Sequence, residues 1–134
     1  MNFIADTGFV LARWSKSAAR RQWAQTYFNK FSPPFVTAEA VLIEAGYRLN
    51  VSELGPRLLR DGDYVSGLGM AEHADGLIWL LRKYSEINMD LADACVVILS
   101  ELFPQATVLT VDQKDFSIYR KRNGKAIKCD FGPA

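Results

Sequence analysis

Four carboxylates stand inside or at the end of apolar segments of this chain, where an ionised side chain is costly. Their positions are Asp6, Glu44, Asp93 and Asp112. Burial of a carboxylate is unfavourable unless something compensates it, and no matching set of embedded Lys or Arg accompanies these four. A bound cation would supply the charge, and all-oxygen ligation suits a hard cation such as Mg²⁺ or Mn²⁺. The four acids therefore predict a divalent metal site.

Two of these acids also have ordinary structural explanations. Asp6 ends a short apolar run, so it can simply cap a following helix. The hydroxyl of Thr7 beside it can bond the carboxylate or a metal-bound water. Glu44 interrupts an apolar helical stretch, where an ion pair with Arg48 one turn later is an alternative. Taken singly, neither acid identifies a site.

The other two acids lie at element ends. Asp90 and Asp93 are three residues apart at the start of an apolar helix. We expect Asp90 to be the N-cap and Asp93 the functional carboxylate, held ionised by the helix dipole, although both can serve the helix end alone. Asp112 ends an apolar strand, where an acid is also a common turn residue, and Thr110 would then be only a strand residue. The joint pattern is more specific than any one position.

Hydrophobic periodicity predicts strands that alternate with helices. The predicted elements are strand 2–6, helix 17–31, strand 35–37, helices 38–50, 52–60, 71–86 and 90–103, strand 107–111, helix 113–121 and strand 126–130. Segment 64–70 is ambiguous and can hold a short strand. Such alternation predicts an α/β fold whose parallel sheet is covered on both faces. Ligands bind at the carboxyl ends of such strands, which is where Asp6 and Asp112 fall.

Two of the predicted helices have recognisable faces. Trp23, Tyr27 and Phe31 recur every four residues, which predicts a core face or a dimer face rather than a base-stacking surface. In helix 71–86 the residues expected to point inward are Ala74, Leu77, Ile78 and Leu81.

The length and net charge of the chain limit the number of domains and the classes of function. The 134 residues correspond to one domain, 1–134. The 16 basic and 15 acidic residues give a net charge of +1, which by itself does not indicate a nucleic-acid binder. Basic residues concentrate in 114–128 and at Arg13, Lys16, Arg20 and Arg21. Each group is an ordinary solvated face unless it flanks the acids, in which case it can contact phosphates.

Cysteine, histidine and hydropathy patterns exclude several classes. Cys95 and Cys129 lack CxxC spacing and His73 is far from both, so neither a zinc site nor a disulfide framework is predicted. No apolar run approaches the ~20 residues that span a bilayer, and the N-terminus lacks a signal-peptide pattern. We expect a soluble, cytoplasmic protein without a membrane partner.

The segments around the four acids resemble PIN-domain nucleases and, more narrowly, the VapC toxins of bacterial and archaeal toxin–antitoxin pairs. The resembling segments are 6–8, 37–45, 89–94 and 109–116, and the likeness extends from residue 2 to about residue 130. One departure is Gly8, where many members have Ser.

The resemblance implies a three-layer sandwich with a short central parallel sheet. It also implies Mg²⁺- or Mn²⁺-dependent RNA cleavage, with one or two ions, that leaves a 3′-hydroxyl and a 5′-phosphate. The residues in the family's acidic positions are Asp6, Glu44, Asp93 and Asp112, and Thr110 matches its hydroxyl residue. Auxiliary roles fall to Thr7, Asp90 and Asp115. The expected substrate is single-stranded RNA, in a tRNA or rRNA loop or an mRNA. The expected partners are a second copy of the chain and a small antitoxin protein.

Three other function classes share features with this sequence. A non-catalytic PIN-like adaptor that binds RNA or protein is the main alternative. An aspartate-dependent phosphatase needs a second Asp two residues after the first, and Gly8 stands there. A phospho-receiver places its acids at strand ends, whereas Glu44 and Asp93 fall within helices.

Overall fold

Five short strands form one parallel sheet at the centre of the fold. The computed structural model describes residues 2–134. The strands are β1 Phe3–Ala5, β2 Phe35–Thr37, β3 Tyr64–Ser66, β4 Thr107–Thr110 and β5 Cys129–Phe131. Their order is β3-β2-β1-β4-β5, and every neighbouring pair is parallel. Parallel strands bring all their carboxyl ends to one edge, so the residues after β1 and β4 become neighbours.

Helices cover both faces of this sheet and complete a three-layer α/β sandwich, as predicted. They are α1 Thr7–Ala12, α2 Ala18–Lys30, α3 Glu39–Leu49, α4 Leu54–Arg60, α5 Ala74–Lys83, α6 Leu91–Leu102 and α7 Gln113–Ile118. Side chains alternate between faces along a strand. Phe3 therefore meets Tyr27 of α2, at 5.2 Å between ring centroids, while Ile4 is fully buried on the opposite face. Helix α6 packs against β1 and β4 and is buried along most of its length.

The observed elements correct several expected boundaries. Helix α1 was not predicted, because six residues are too few to display a helical period. The ambiguous segment contains β3. Predicted helix 71–86 is α5 flanked by short 3₁₀ turns, and Ile78 is 45% exposed rather than inward. Leu77 is buried as predicted, and Leu80, which was not expected to point inward, is buried as well.

The C-terminal part of the chain contains fewer helix and strand residues than predicted. Helix α7 ends at Ile118 and not at residue 121. The final strand is Cys129–Phe131, three residues later than predicted. Ala126, the expected first residue of that strand, instead forms an isolated antiparallel bridge with Arg120.

The aromatic stripe of α2 belongs to the core, which was one of its two predicted roles. Tyr27 and Phe31 both contact the ring of Phe3, at centroid distances of 5.2 and 4.5 Å. The indole N–H of Trp23 and the hydroxyl of Tyr27 both donate to Oδ2 of Asp130 in β5. The stripe therefore holds α2 against the sheet, while Phe31 remains 39% exposed.

Cys95 and Cys129 are free thiols, in agreement with the sequence. Within residues 2–134, none of the helices has the length and apolar character needed to cross a membrane.

Candidate functional site

Asp6 follows β1 directly and is 5% exposed. Its backbone occupies the N-cap position of α1, but its side chain makes no capping hydrogen bond. Instead, Oδ2 accepts a hydrogen bond of 2.6 Å from the hydroxyl of Thr110, at the end of β4. Asp6 is therefore a helix N-cap by its backbone position only, and its carboxylate has a different partner.

The electrostatic surroundings of Asp6 disfavour its charge. Burial raises the pKa of Asp6 from 3.8 to about 6, and the hydrogen bonds from Thr110 and from the Thr7 backbone offset part of that rise. The neighbouring charges of Glu44 and Asp112 raise the pKa further. A cation beside Asp6 would relieve both effects, since it favours the ionised carboxylate.

Glu44 is joined to α1 by a single hydroxyl. The side chain of Thr7, at the start of α1, donates a hydrogen bond to Oε2 of Glu44 in α3. Thr7 was expected to bond the neighbouring carboxylate of Asp6 or a metal-bound water, and its hydroxyl instead bonds Glu44, 37 positions away. The ion pair between Glu44 and Arg48 does not occur among the salt bridges of residues 2–134.

Asp90 is the N-cap of α6, as predicted, but the expectation that the helix dipole holds Asp93 ionised is wrong, because the pKa of Asp93 is raised. Oδ1 of Asp90 caps the helix by accepting from the backbone N–H of Asp93 at 2.9 Å. The Asp93 side chain is thereby free for another role, and its Oδ2 accepts from the hydroxyl of Tyr119 at 2.9 Å. Burial raises the pKa of Asp93 to about 7; the charges of Asp6, Asp90 and Asp112 add to this rise, while the Tyr119 hydrogen bond opposes it.

Asp112 lies between β4 and α7 and does serve as a cap. Its Oδ1 accepts from the backbone N–H of Asp115 at 3.0 Å, and its own N–H donates to the hydroxyl of Thr110 at 3.0 Å. Thr110 therefore links Asp112 to Asp6. Burial and the charge of Asp112 raise the pKa of Asp115 as well, so Asp115 belongs to the same group of acids.

Asp6 is the acid through which the charges of the other three are connected. Asp6 is affected by Glu44 and Asp112, and Asp93 is affected by Asp6 and Asp112. No salt bridge recorded for residues 2–134 involves any of the four. Three hydroxyls, those of Thr7, Thr110 and Tyr119, are their side-chain hydrogen-bond donors.

The chemistry of this donor set fits a hard divalent cation. Every candidate ligand is a carboxylate or hydroxyl oxygen, which Mg²⁺ and Mn²⁺ prefer. Within residues 2–134, no group of three or more His, Cys, Asp or Glu side chains is arranged so that it could bind one metal ion. Mg²⁺ does not require such a cage, because it keeps several waters and usually binds through one or two carboxylates.

The basic groups differ in their relation to these acids. Arg13 forms a 3.0 Å ion pair with Asp63, which directly precedes β3 and so lies at the opposite edge of the sheet. Arg122 pairs with Glu101. Lys114, in the first turn of α7, is close enough to Asp115 to lower its pKa. Lys114 therefore remains a candidate phosphate contact because of its place beside Asp115, whereas Arg13 is paired with Asp63.

Gly8 has a steric reason to be glycine. A Cβ at this position would lie 2.4 Å from Cγ2 of Val111, which is far inside van der Waals contact. Val111 is β-branched and cannot easily move aside. The close approach of α1 to the end of β4 thus disfavours a side chain at Gly8, including the Ser expected from the resemblance.

Tyr119 is the site residue that sequence reasoning missed. It was expected to be an ordinary residue of helix 113–121. Its partner Asp93 is 26 positions away, and no local pattern connects the two.

No family model and no curated protein matches this chain. The resemblance therefore remains an expectation carried by the four acidic segments, and function is argued from the site itself.

Proposed function

We propose that this protein is a Mg²⁺- or Mn²⁺-dependent endoribonuclease of the PIN type that acts as the toxin of a toxin–antitoxin pair. The observation that carries the proposal is the environment of Asp6. A carboxylate that is 5% exposed is normally paired with a cation, and Asp6 has only hydroxyl and backbone donors together with acidic neighbours. Such a carboxylate is suited to a cation that arrives from solution.

The roles of the site residues follow from their partners. Asp6, Glu44, Asp93 and Asp112 would hold the ion directly or through water. When bound, a divalent ion supplies Lewis-acid polarisation of the phosphoryl group and a nucleophilic water at neutral pH. Thr110 holds Oδ2 of Asp6, and Thr7 holds Oε2 of Glu44. Both hydroxyls orient carboxylates without neutralising them.

The proposed substrate is a single-stranded segment of RNA, in a tRNA or rRNA loop or an mRNA. Unpaired nucleotides can enter an acidic site at a sheet edge more readily than a stacked duplex can. Lys114 is exposed beside Asp115 and is the proposed phosphate contact. In-line hydrolysis would leave a 3′-hydroxyl and a 5′-phosphate, as the resemblance implies.

A PIN-like adaptor without catalytic activity is the second candidate. The observation in its favour is that Thr7, Thr110 and Tyr119 already satisfy one oxygen each of Glu44, Asp6 and Asp93. An adaptor would use the same fold to bind RNA or protein without cutting it.

RNA cleavage by purified protein separates the two candidates. Wild type should cut single-stranded RNA with Mg²⁺ or Mn²⁺ and stop when a chelator is added. Asp6→Asn and Asp93→Asn should each lose most of the activity while remaining folded, because each removes one ligand charge. Asp61→Asn makes the same chemical change at an exposed carboxylate that pairs with Arg60, and it should cut normally. Cleavage that persists in excess chelator would sink the nuclease proposal.

The proposed partners are a second copy of the chain and a small antitoxin. A basic segment of the antitoxin would bring Arg or Lys to the acids, since a cationic side chain satisfies them as a metal does. The aromatic stripe packs against the sheet and leaves only Phe31 substantially exposed, so the dimer is proposed from the resemblance. A monomeric mass by light scattering at tens of micromolar would count against the dimer. Failure of the product of a neighbouring reading frame to inhibit cleavage would count against the antitoxin.

A further inference from the structure

Tyr119 makes a partly buried hydrogen bond with Asp93 that neither a helix cap nor the hydrophobic core requires. We propose that Tyr119 is a positioning residue for Asp93: its hydroxyl holds Oδ2 so that Oδ1 is presented to the divalent cation. This inference rests on the proposed function, because it assigns a role within the same site.

The geometry leaves the Tyr119 hydroxyl little freedom. Tyr119 is fully buried, and its oxygen lies 2.9 Å from Oδ2 of Asp93. Its ring contacts Tyr84 and Phe116 edge-on, each at 5.1 Å between centroids. A ring held on two sides fixes the direction in which its hydroxyl points.

Asp93 needs such a partner because only its backbone is otherwise anchored. Its N–H is held by Asp90, which leaves the carboxylate to rotate about its side-chain torsions. A hydrogen bond to one oxygen removes that rotation and leaves the other oxygen available. Partners of this outer kind commonly change metal affinity or activity by 10–100-fold.

A tyrosine suits this task better than a basic residue would. Lys or Arg would neutralise Asp93 and compete with the metal, whereas a neutral hydroxyl donates a hydrogen bond and leaves the negative charge in place. Burial and the charge of Asp93 raise the pKa of Tyr119 well above its usual range. The hydroxyl therefore keeps its proton and remains a donor.

A neighbouring tyrosine provides a matched control. The hydroxyl of Tyr84 accepts a 2.9 Å hydrogen bond from the backbone N–H of Arg120, the residue after Tyr119. Tyr84→Phe thus removes one hydroxyl from the same aromatic cluster without touching Asp93. Tyr119→Phe removes the hydroxyl that does touch it, and both variants keep their rings.

The test measures Mn²⁺ binding by calorimetry and RNA cleavage at saturating Mn²⁺, well below the lower of the melting temperatures. Tyr119→Phe should weaken Mn²⁺ binding by about 10–100-fold. It should also lower kcat and leave KM for RNA unchanged, because RNA binding does not involve this hydroxyl. Tyr84→Phe should change neither quantity. In an Asp93→Asn background, Tyr119→Phe should have no further effect on Mn²⁺ binding, since the two side chains act as a unit.

The outcomes distinguish the two proposals. If wild type cuts RNA and Tyr119→Phe binds Mn²⁺ as Tyr84→Phe does, the positioning role is overturned and the nuclease stands. If wild type binds Mn²⁺ without cutting RNA, the nuclease falls, and the affinity of Tyr119→Phe still decides the positioning role. Wild type that binds no Mn²⁺ overturns both.

Discussion

The hydroxyl of Thr110 donates a 2.6 Å hydrogen bond to Oδ2 of Asp6, across 104 positions of sequence. Both residues are almost fully buried, and they follow or end the adjacent parallel strands β1 and β4. The contact sets the direction of the least exposed acid of the site. It also makes the carboxylate dependent on one particular hydroxyl.

Replacement of Thr110 by valine should destabilise the fold. Thr110→Val keeps the branched shape and removes the donor to Asp6, so a buried carboxylate oxygen is left unsatisfied. The expected loss is about 1–3 kcal/mol in the free energy of unfolding, measured by urea denaturation. Thr107→Val makes the same change at the first residue of β4 and should stay within about 0.5 kcal/mol of wild type. Equal losses of stability in the two variants would mean that the hydrogen bond to Asp6 makes no specific contribution to the free energy of unfolding.

The metal-free protein should become less stable as pH rises from about 4 to 7. Asp6 and Asp93 have folded-state pKa values of about 6 and about 7, above the ordinary 3.8. The folded chain therefore binds protons more tightly than the unfolded chain in this window, and its relative stability falls with pH. The rise for Asp6 alone corresponds to about 3 kcal/mol at full ionisation. Asp93 is more exposed than Asp6, so solvent screening reduces its contribution to the pH dependence of the unfolding free energy.

Chemical denaturation in chelator at a series of pH values measures this dependence. Asp93→Asn removes one of the two groups whose pKa is raised in the folded protein. Its curve should therefore be flatter than that of wild type between pH 4 and 7. A wild-type curve that rises through this window relative to the variant would contradict the assigned pKa directions.

Asp93→Asn should separate a ligand role from a structural role. Without metal, the change relieves repulsion with Asp6 and Asp112, so the variant should melt at the same temperature as wild type or higher. With Mn²⁺, wild type should gain stability as the ion exceeds its Kd, and the variant should gain less. Thermal melts of both proteins, each in chelator and in Mn²⁺, test both signs. A variant that melts clearly lower in chelator and shows the full metal shift would make Asp93 a structural residue.

A side chain at Gly8 should strain the junction between α1 and β4. The Cβ of Gly8→Ala would overlap Cγ2 of Val111, and overpacking of this kind costs about 1–3 kcal/mol. Gly55→Ala in α4 is the control, because its Cβ would sit 3.4 Å from Leu42 of α3, which is an ordinary van der Waals contact. Urea denaturation should show a loss for Gly8→Ala and none for Gly55→Ala. If Gly8→Ala is as stable as wild type, Val111 moves freely and Gly8 carries no steric requirement.

Local patterns were sufficient for the architecture and for the identity of the acids. Alternation of β-branched runs with helical periods predicted the parallel sheet, and Asp6 and Asp112 were placed at its carboxyl edge. The same reasoning missed α1, which is too short to show a helical period. It also placed Ile78 on the buried face of α5, because the buried face of a helix depends on the elements packed against it.

Residue type and spacing along the chain thus determined the α/β sandwich and the four carboxylates that interrupt its apolar segments. The tertiary structure decided which hydroxyl serves which acid: Thr110 for Asp6, Thr7 for Glu44 and Tyr119 for Asp93. It also placed Arg13 away from the acids. Hydrophobic periodicity acts over a few neighbouring residues, so it can be read locally. Partners that are 26 to 104 positions apart meet only through strand register and helix packing, which no local pattern encodes.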